Sequence, residues 1–290
     1  METPAAPVDP IAIRARAAIW AAQFTLPFRR GPSAAAGGLR SSGAGSSLEY
    51  HDHRPYIAGD DPRAIDWNAF ARTDQLTLKV YREETRPIVD VAIDGTASMA
   101  VSPKKATRAL ELALLCIAAG ERAGASVRVS CVWQGGTSEG DAALMSADFG
   151  TRPGNATEPL AWDQVRWRPG GLRVVVSDFL SSIPPSDFFT SQGTARCVPI
   201  LLAPYDREEA DPDWTGQVDL IDCESAERRD LHFDSAAAER YRGAYSSHFE
   251  SWREATLRRE GIFARVNSAG DLPAALLEEA IPAGAFGFER

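Results

Sequence analysis

The stretch PIVDVAIDGTASM, residues 87–99, holds an apolar, β-branched run that stops abruptly at an acid. Ile88, Val89, Val91 and Ile93 read as a buried strand. Asp94 ends it, and Gly95, Thr96 and Ser98 follow at once. A helix then begins, with Ser102 at the N-cap position and Pro103 as its first residue. The spacing Asp-x-Thr-x-Ser puts a carboxyl and two hydroxyls in the turn leaving the carboxyl end of a strand. Open α/β sheets bind ligands at that edge. Hard divalent cations such as Mg²⁺ or Mn²⁺ take oxygen ligands of this kind and keep several waters. A plain strand-to-helix turn, its Asp or Ser capping the helix, accounts for the same residues.

Working outward, the helix after the turn runs from about 103 to 119 and is apolar on most faces, so it is expected to be buried. Val127–Trp133 reads as a strand, and the Gly135-Gly136 turn leads to a weaker one near 142–149. Residues 172–177, with Val174-Val175-Val176, form a second clear buried strand, and it too ends in an acid, Asp178. The apolar run 197–203 contains Pro199, which predicts an edge position or a late start. Residues 217–222 and 229–233 pattern as a hairpin. A long helix follows over 235–260, with Tyr241, Tyr245, Phe249 and Trp252 on one stripe, and Gly261 stops it. A last strand at 262–266 and a helix opened by Asp271 and Pro273 complete the chain. This alternation predicts an α/β fold with a doubly wound, mainly parallel sheet.

Upstream of residue 87 the pattern changes. Residues 10–26 suggest an amphipathic helix with Ile13, Ala17, Trp20, Ala21 and Phe24 on one face, expected to pack on its own domain. Residues 31–47 are rich in Gly, Ser and Ala and read as a flexible linker. The block 50–82 interleaves Arg54, Arg63, Arg72 and Arg82 with Asp60, Asp61, Asp66 and Asp74, and with Tyr50, Tyr56, Trp67, Phe70 and Tyr81. Either a recognition surface or a lattice of ion pairs fixing the loops fits this composition. Leu76, Leu78 and Val80 alternate as a half-buried strand. His51 and His53 flank Asp52, but without distant partners they make poor metal ligands.

The 290 residues suffice for one large domain or two small ones. A net charge of −9 argues against a general nucleic-acid binder, which needs clustered Lys and Arg. Glu2 and Asp9 stand where a signal peptide would be basic, and the longest apolar run, around 109–119, is too short to span a bilayer. A cytoplasmic protein without a membrane span is expected. Cys116, Cys131, Cys197 and Cys223 form no C-x-x-C pair and read as buried free thiols beside apolar runs.

The two acids Asp94 and Asp178, with Thr96 and Ser98, resemble the metal-ion-dependent adhesion site of von Willebrand factor type A domains, Thr96 standing where that pattern has its first Ser. Tyr56, Gly59-Asp60-Asp61, Arg63, Ile65-Asp66-Trp67 and Ala71-Arg72 resemble the signature of the domain-of-unknown-function 58 family. Residues 217–222 with Glu224, and the helix-Gly-strand end, are similar to it too. The resemblance implies a von Willebrand A-like domain with an N-terminal segment docked on it. Its members are often encoded beside MoxR-type AAA+ ATPases and are thought to act with them in assembling or activating other proteins. They are not established enzymes. Many carry N-terminal membrane helices that this chain lacks. The expected organisation is a helix within 1–30, a linker over 31–47, the signature segment 48–86 docked on a main domain over 87–282, and a tail at 283–290. In the adhesion site a Thr between the two acids completes the ligands. The candidates here are Thr157 and Thr151, in a segment, 150–171, whose three prolines leave little room for the usual helix.

Three functions compete. The first is an adaptor in which Mg²⁺ or Mn²⁺ on Asp94, Thr96 and Ser98, with Asp178 acting through water, accepts an acidic side chain of a protein partner. The second is a metal-free scaffold with a vestigial site, working through Arg54, Tyr56, Gly59, Asp60, Asp61, Arg63, Asp66, Trp67 and Arg72. The third is an enzyme. Asp-Gly-Thr after a strand also occurs in haloacid dehalogenase-like phosphatases, but their nucleophilic Asp would fall at Ala92, which closes the covalent route. A hydrolase using metal-activated water has no His or Glu placed by spacing as its base.

Overall fold

The computed structural model describes residues 9–28, 48–57, 59–83, 86–145, 159–193 and 197–289. Contacts divide the chain into two units, one over Arg40–Arg86 and the other formed by the rest.

The smaller unit pairs β2 (Leu48–Pro55) with β3 (Thr77–Glu83) in an antiparallel ladder. Between them lie a 3₁₀ turn at Pro62–Ala64 and helix α2 (Trp67–Thr73). Three of its acids accept hydrogen bonds from backbone amides. Asp60 accepts from Ile57 N at 3.0 Å, and Asp61 from Arg63 N at 2.9 Å. Asp66 caps α2, accepting from Asn68 N at 3.0 Å and Ala69 N at 3.2 Å. Gly59 adopts φ +111°, a backbone open to glycine and strained for other residues. The Gly-Asp-Asp-x-Arg-x-Ile-Asp-Trp spacing is therefore the local grammar of a capped turn and helix. Trp67 and Phe70 meet edge to face.

The larger unit opens with α1 (Pro10–Trp20) and β1 (Phe24–Thr25). Its central elements are β4 (Ile88–Asp94), α3 (Pro103–Arg122), β5 (Ser126–Trp133), β6 (Gly136–Glu139) and α4 (Ala142–Met145). Then come β7 (Leu172–Val176), α5 (Pro185–Ser191), β8 (Val198–Tyr205) and α6 (Arg207–Ala210). A hairpin of β9 (Gly216–Ile221) and β10 (Arg228–Phe233) precedes α7 (Ser235–Leu257), β11 (Ile262–Asn267), α8 (Leu272–Glu278) and β12 (Gly287–Phe288).

Six strands form one sheet in the order β11-β8-β7-β4-β5-β6, all parallel except β6 at the edge. Val89, Val91 and Ile93 of β4 face one core with α1, α3 and α8, while Ala92 faces a second core with Phe188, Phe249 and Trp252. Burial on both faces explains why these strands read as near-continuous apolar runs, interrupted by the buried Asp90 of β4 and Arg173 of β7. The chain leaves β4 for β5 on one side and later returns to β7 on the other, so the strand order reverses at β4. That reversal opens a crevice at the carboxyl edge. The expected α/β architecture with a mostly parallel central sheet is what the chain forms.

Several details differ from expectation. Gly135-Gly136 does not open a long turn. Gly135 completes a two-residue connection at φ +74°, and β6 starts immediately; of the strand expected near 142–149, residues 142–145 form the short α4 and 146–149 lie outside the described residues. Pro199 is the second residue of β8 and registers on Arg173 of β7, while the ladder to β11 begins only at Ile200, so the late start that a proline favours holds on that side. Gly261 passes so close to it that a Cβ would meet Pro199 at 2.5 Å. Cys116 and Cys131 are buried as expected, but Cys223 is exposed in the β9–β10 turn. The tail is tied back, since β12 pairs with β1 through Phe24 and Phe288. Ile13 and Ala17 of α1 are buried in the core that α3 shares.

Candidate functional site

β4 ends at Asp94, and its neighbour β7 ends one residue before Ser177-Asp178, with Ile93 registered on Val176. The ladder thus delivers both predicted acids to one edge. Asp94 is 1% exposed, Thr96 3% and Asp178 4%; Ser98 is half-buried. Asp94 Oδ1 accepts hydrogen bonds from Thr96 N at 3.0 Å and Thr96 Oγ1 at 2.6 Å, and Oδ2 accepts from Ser177 Oγ at 2.7 Å. Thr96 Oγ1 and Ser98 Oγ are 3.0 Å apart. The helix after the turn does not use Asp94 as its cap: Ser102 Oγ accepts from Lys105 N at 3.1 Å and does that work.

Asp178 has a different environment. Lys105 is fully buried, and its Nζ donates to Asp178 Oδ2 at 2.9 Å and to Glu209 Oε1 at 2.5 Å. Asp178 Oδ1 accepts from Leu180 N at 3.1 Å, and its own N–H points at Met99 Sδ, 3.2 Å away. Burial opposes the charge on Lys105, but Asp178 and Glu209 outweigh it and hold the ammonium above its ordinary range. Among the described residues no basic side chain pairs with Asp94. Burial first, and then the charge of Asp178, push its carboxyl up to about 7, against the pull of the Thr96 and Ser177 hydrogen bonds.

A further carboxylate reaches the turn from far along the chain. Glu224 Oε1 accepts from Ser98 N at 2.8 Å, and Oε2 accepts from Gln134 Nε2 at 2.6 Å. Sequence reasoning missed Lys105, Ser177, Gln134 and Glu209 as members of this network, and noticed Glu224 only as part of a resemblance. Ser177 alone had a local signal, the Ser-Asp pair ending an apolar strand. Thr157, Thr151 and the side chains of Arg54, His51 and His53 lie outside the described residues. Tyr56, Gly59, Asp60, Asp61, Arg63, Asp66, Trp67 and Arg72 belong to the smaller unit described above.

The model of the family described as protein of unknown function DUF58 matches residues 52–253. The chain belongs to that family. A comparison with curated proteins finds no match. Among solved structures, an aerotolerance-related membrane protein from Bacteroides fragilis NCTC 9343, with multiple mutations to serines, is similar at 16% identity and TM-score 0.33. The match covers 66% of this chain and 98% of that one. A conserved hypothetical protein BatB from Bacteroides thetaiotaomicron is similar at 9% identity and TM-score 0.32, covering 68% and 98%. These superpositions are too loose to transfer a role. Among the described residues no helix is long and apolar enough to cross a membrane.

Hard oxygens dominate the Asp94 turn: one carboxylate, two hydroxyls, and the Glu224 carboxylate on the adjoining amide. No group of three or more His, Cys, Asp or Glu placed to hold a metal is found among the described residues, so any cation here would lean on the hydroxyls. In kind, this donor set suits Mg²⁺ or Mn²⁺.

Proposed function

We propose that the chain is a non-enzymatic, protein-binding adaptor of von Willebrand A type. Its recognition point is the Asp94–Thr96–Ser98 turn, holding Mg²⁺ or Mn²⁺. The observation that carries this reading is the buried Asp94 carboxylate, placed with two hydroxyls at the strand-order reversal and paired with no basic side chain among the described residues. A bound cation would supply the missing positive charge and a coordination position for an acidic side chain of a partner. Partnership with a MoxR-type AAA+ ATPase, in assembly or activation of other proteins, rests on the family resemblance. A cytoplasmic setting is part of the same reading.

One feature of the site favours a metal-free scaffold as the second reading: Lys105 already balances Asp178 and Glu209 from within. Calorimetric titration of Mg²⁺ and Mn²⁺ into the full chain and into Asp94→Ala separates the two. Micromolar to millimolar binding that disappears in the variant supports the adaptor. No heat in the unaltered chain rejects metal bridging and leaves the scaffold.

A further inference from the structure

We propose that Glu224 is a second carboxylate ligand of the cation site, delivered by the β9–β10 hairpin, and that the site is thereby closed by this chain's own acid. The inference rests on the metal-binding reading above. The hairpin forms its own two-stranded ladder, outside the six-stranded sheet. From Ile221 to Asp230 every residue except Glu224 is exposed. The one covered side chain of the turn is therefore the one that touches the Asp94–Thr96–Ser98 turn, 126 residues away from Ser98 in sequence.

Among the described residues its side chain accepts from two uncharged donors, Ser98 N and Gln134 Nε2, and pairs with no basic side chain. An ionised carboxylate has about four lone-pair positions. Two of those on Glu224 take hydrogen bonds, so others stay available to a cation. Asp178 accepts as many hydrogen bonds, but one of its donors is the Lys105 ammonium, so its charge is already balanced where that of Glu224 is not. Asp94 and Glu224 thus bring two carboxyl groups to one short turn, with no basic side chain paired to either among the described residues. Within the adaptor reading, an acidic side chain of a partner competes with Glu224 for the site, and the hairpin turn must lift for it to enter.

The test uses Mn²⁺ alone, titrated calorimetrically into the full chain and into Glu224→Gln, with amide hydrogen exchange across 216–233 measured with and without Mn²⁺. Glu224→Gln keeps the shape of the one half-buried side chain of this turn, and a thermal melt confirms its fold. The expected result is affinity at least about tenfold weaker in the variant. Mn²⁺ also slows exchange in the hairpin of the unaltered chain but not of Glu224→Gln. Equal affinity in the two proteins, or hairpin exchange indifferent to Mn²⁺, overturns the assignment of Glu224 while leaving the metal site standing. Failure of the unaltered chain to bind Mn²⁺ overturns both.

Discussion

The turns closing β4 and β7 each place a buried acid on the same sheet edge, yet the two are satisfied in opposite ways. Asp178 receives a fully buried ammonium, Lys105, shared with Glu209. Among the described residues Asp94 receives only hydroxyl and amide hydrogens. Equivalent positions in a fold therefore do not imply equivalent chemistry; the charge that faces each acid decides. The β7 half is balanced internally by the Lys105 ammonium. The β4 half carries an uncompensated carboxylate and opens toward Ser98 and Glu224.

The comparison breaks most visibly at Lys105. Lys105→Met leaves Asp178 and Glu209 facing each other in a buried setting, and the expected loss is about 3 kcal/mol of unfolding free energy, read from urea or guanidinium denaturation. A change below about 1 kcal/mol would show that the ammonium is solvated and that the two halves are more alike than the structure indicates.

Asp94 should respond in the reverse sense. Its folded value, about 7, lies above its unfolded one, so the folded chain holds the proton more tightly and ionisation costs stability. The cost is absent below about pH 4, grows as pH rises, and is complete above about pH 7. Asp94→Asn is expected to stabilise the metal-free protein by on the order of 2 kcal/mol at pH 8 and to lose that advantage near pH 4. Thermal melts at the two pH values read this directly; a destabilised variant at pH 8 would contradict it. The same titration sharpens the metal reading. Protons compete for Asp94, so Mn²⁺ affinity should fall as pH drops below about 7, approaching tenfold per unit. A flat profile between pH 7 and 5 would exclude Asp94 as a ligand.

Two smaller effects complete the contrast. Asp178→Asn should shift Mn²⁺ affinity by no more than about threefold, because Asp178 is committed to Lys105; a loss as large as that of Asp94→Ala would restore it as a ligand. Asp66 offers a control acid whose described hydrogen bonds cap α2. Asp66→Ala should cost about 1 kcal/mol and leave metal titrations unchanged.

Much of this was legible along the chain. Largely apolar, β-branched runs at 88–93 and 172–176, each broken by one charged residue (Asp90, Arg173), announce strands buried on both faces, because such strands need no polar alternation. The Asp-x-Thr-x-Ser turn is a local pattern, and so is the capped Gly-Asp-Asp to Asp-Trp block, since caps and turns act within a few residues. Gly135-Gly136 was misleading for a related reason: glycines announce a turn without saying how short it is.

What the sequence determined by itself was therefore the strands, their helices, and the presence of an acid at the end of two of them, all consequences of short-range periodicity and backbone preference. Only the tertiary structure decided which charges meet. Lys105 reads as an ordinary surface lysine of the first helical turn until the sheet places Asp178 and Glu209 over it, 73 and 104 residues away. Glu224 is one acid among many until its hairpin folds back onto Ser98. Coulomb interactions depend on distance through space, and nothing in the order of residues along a chain records it.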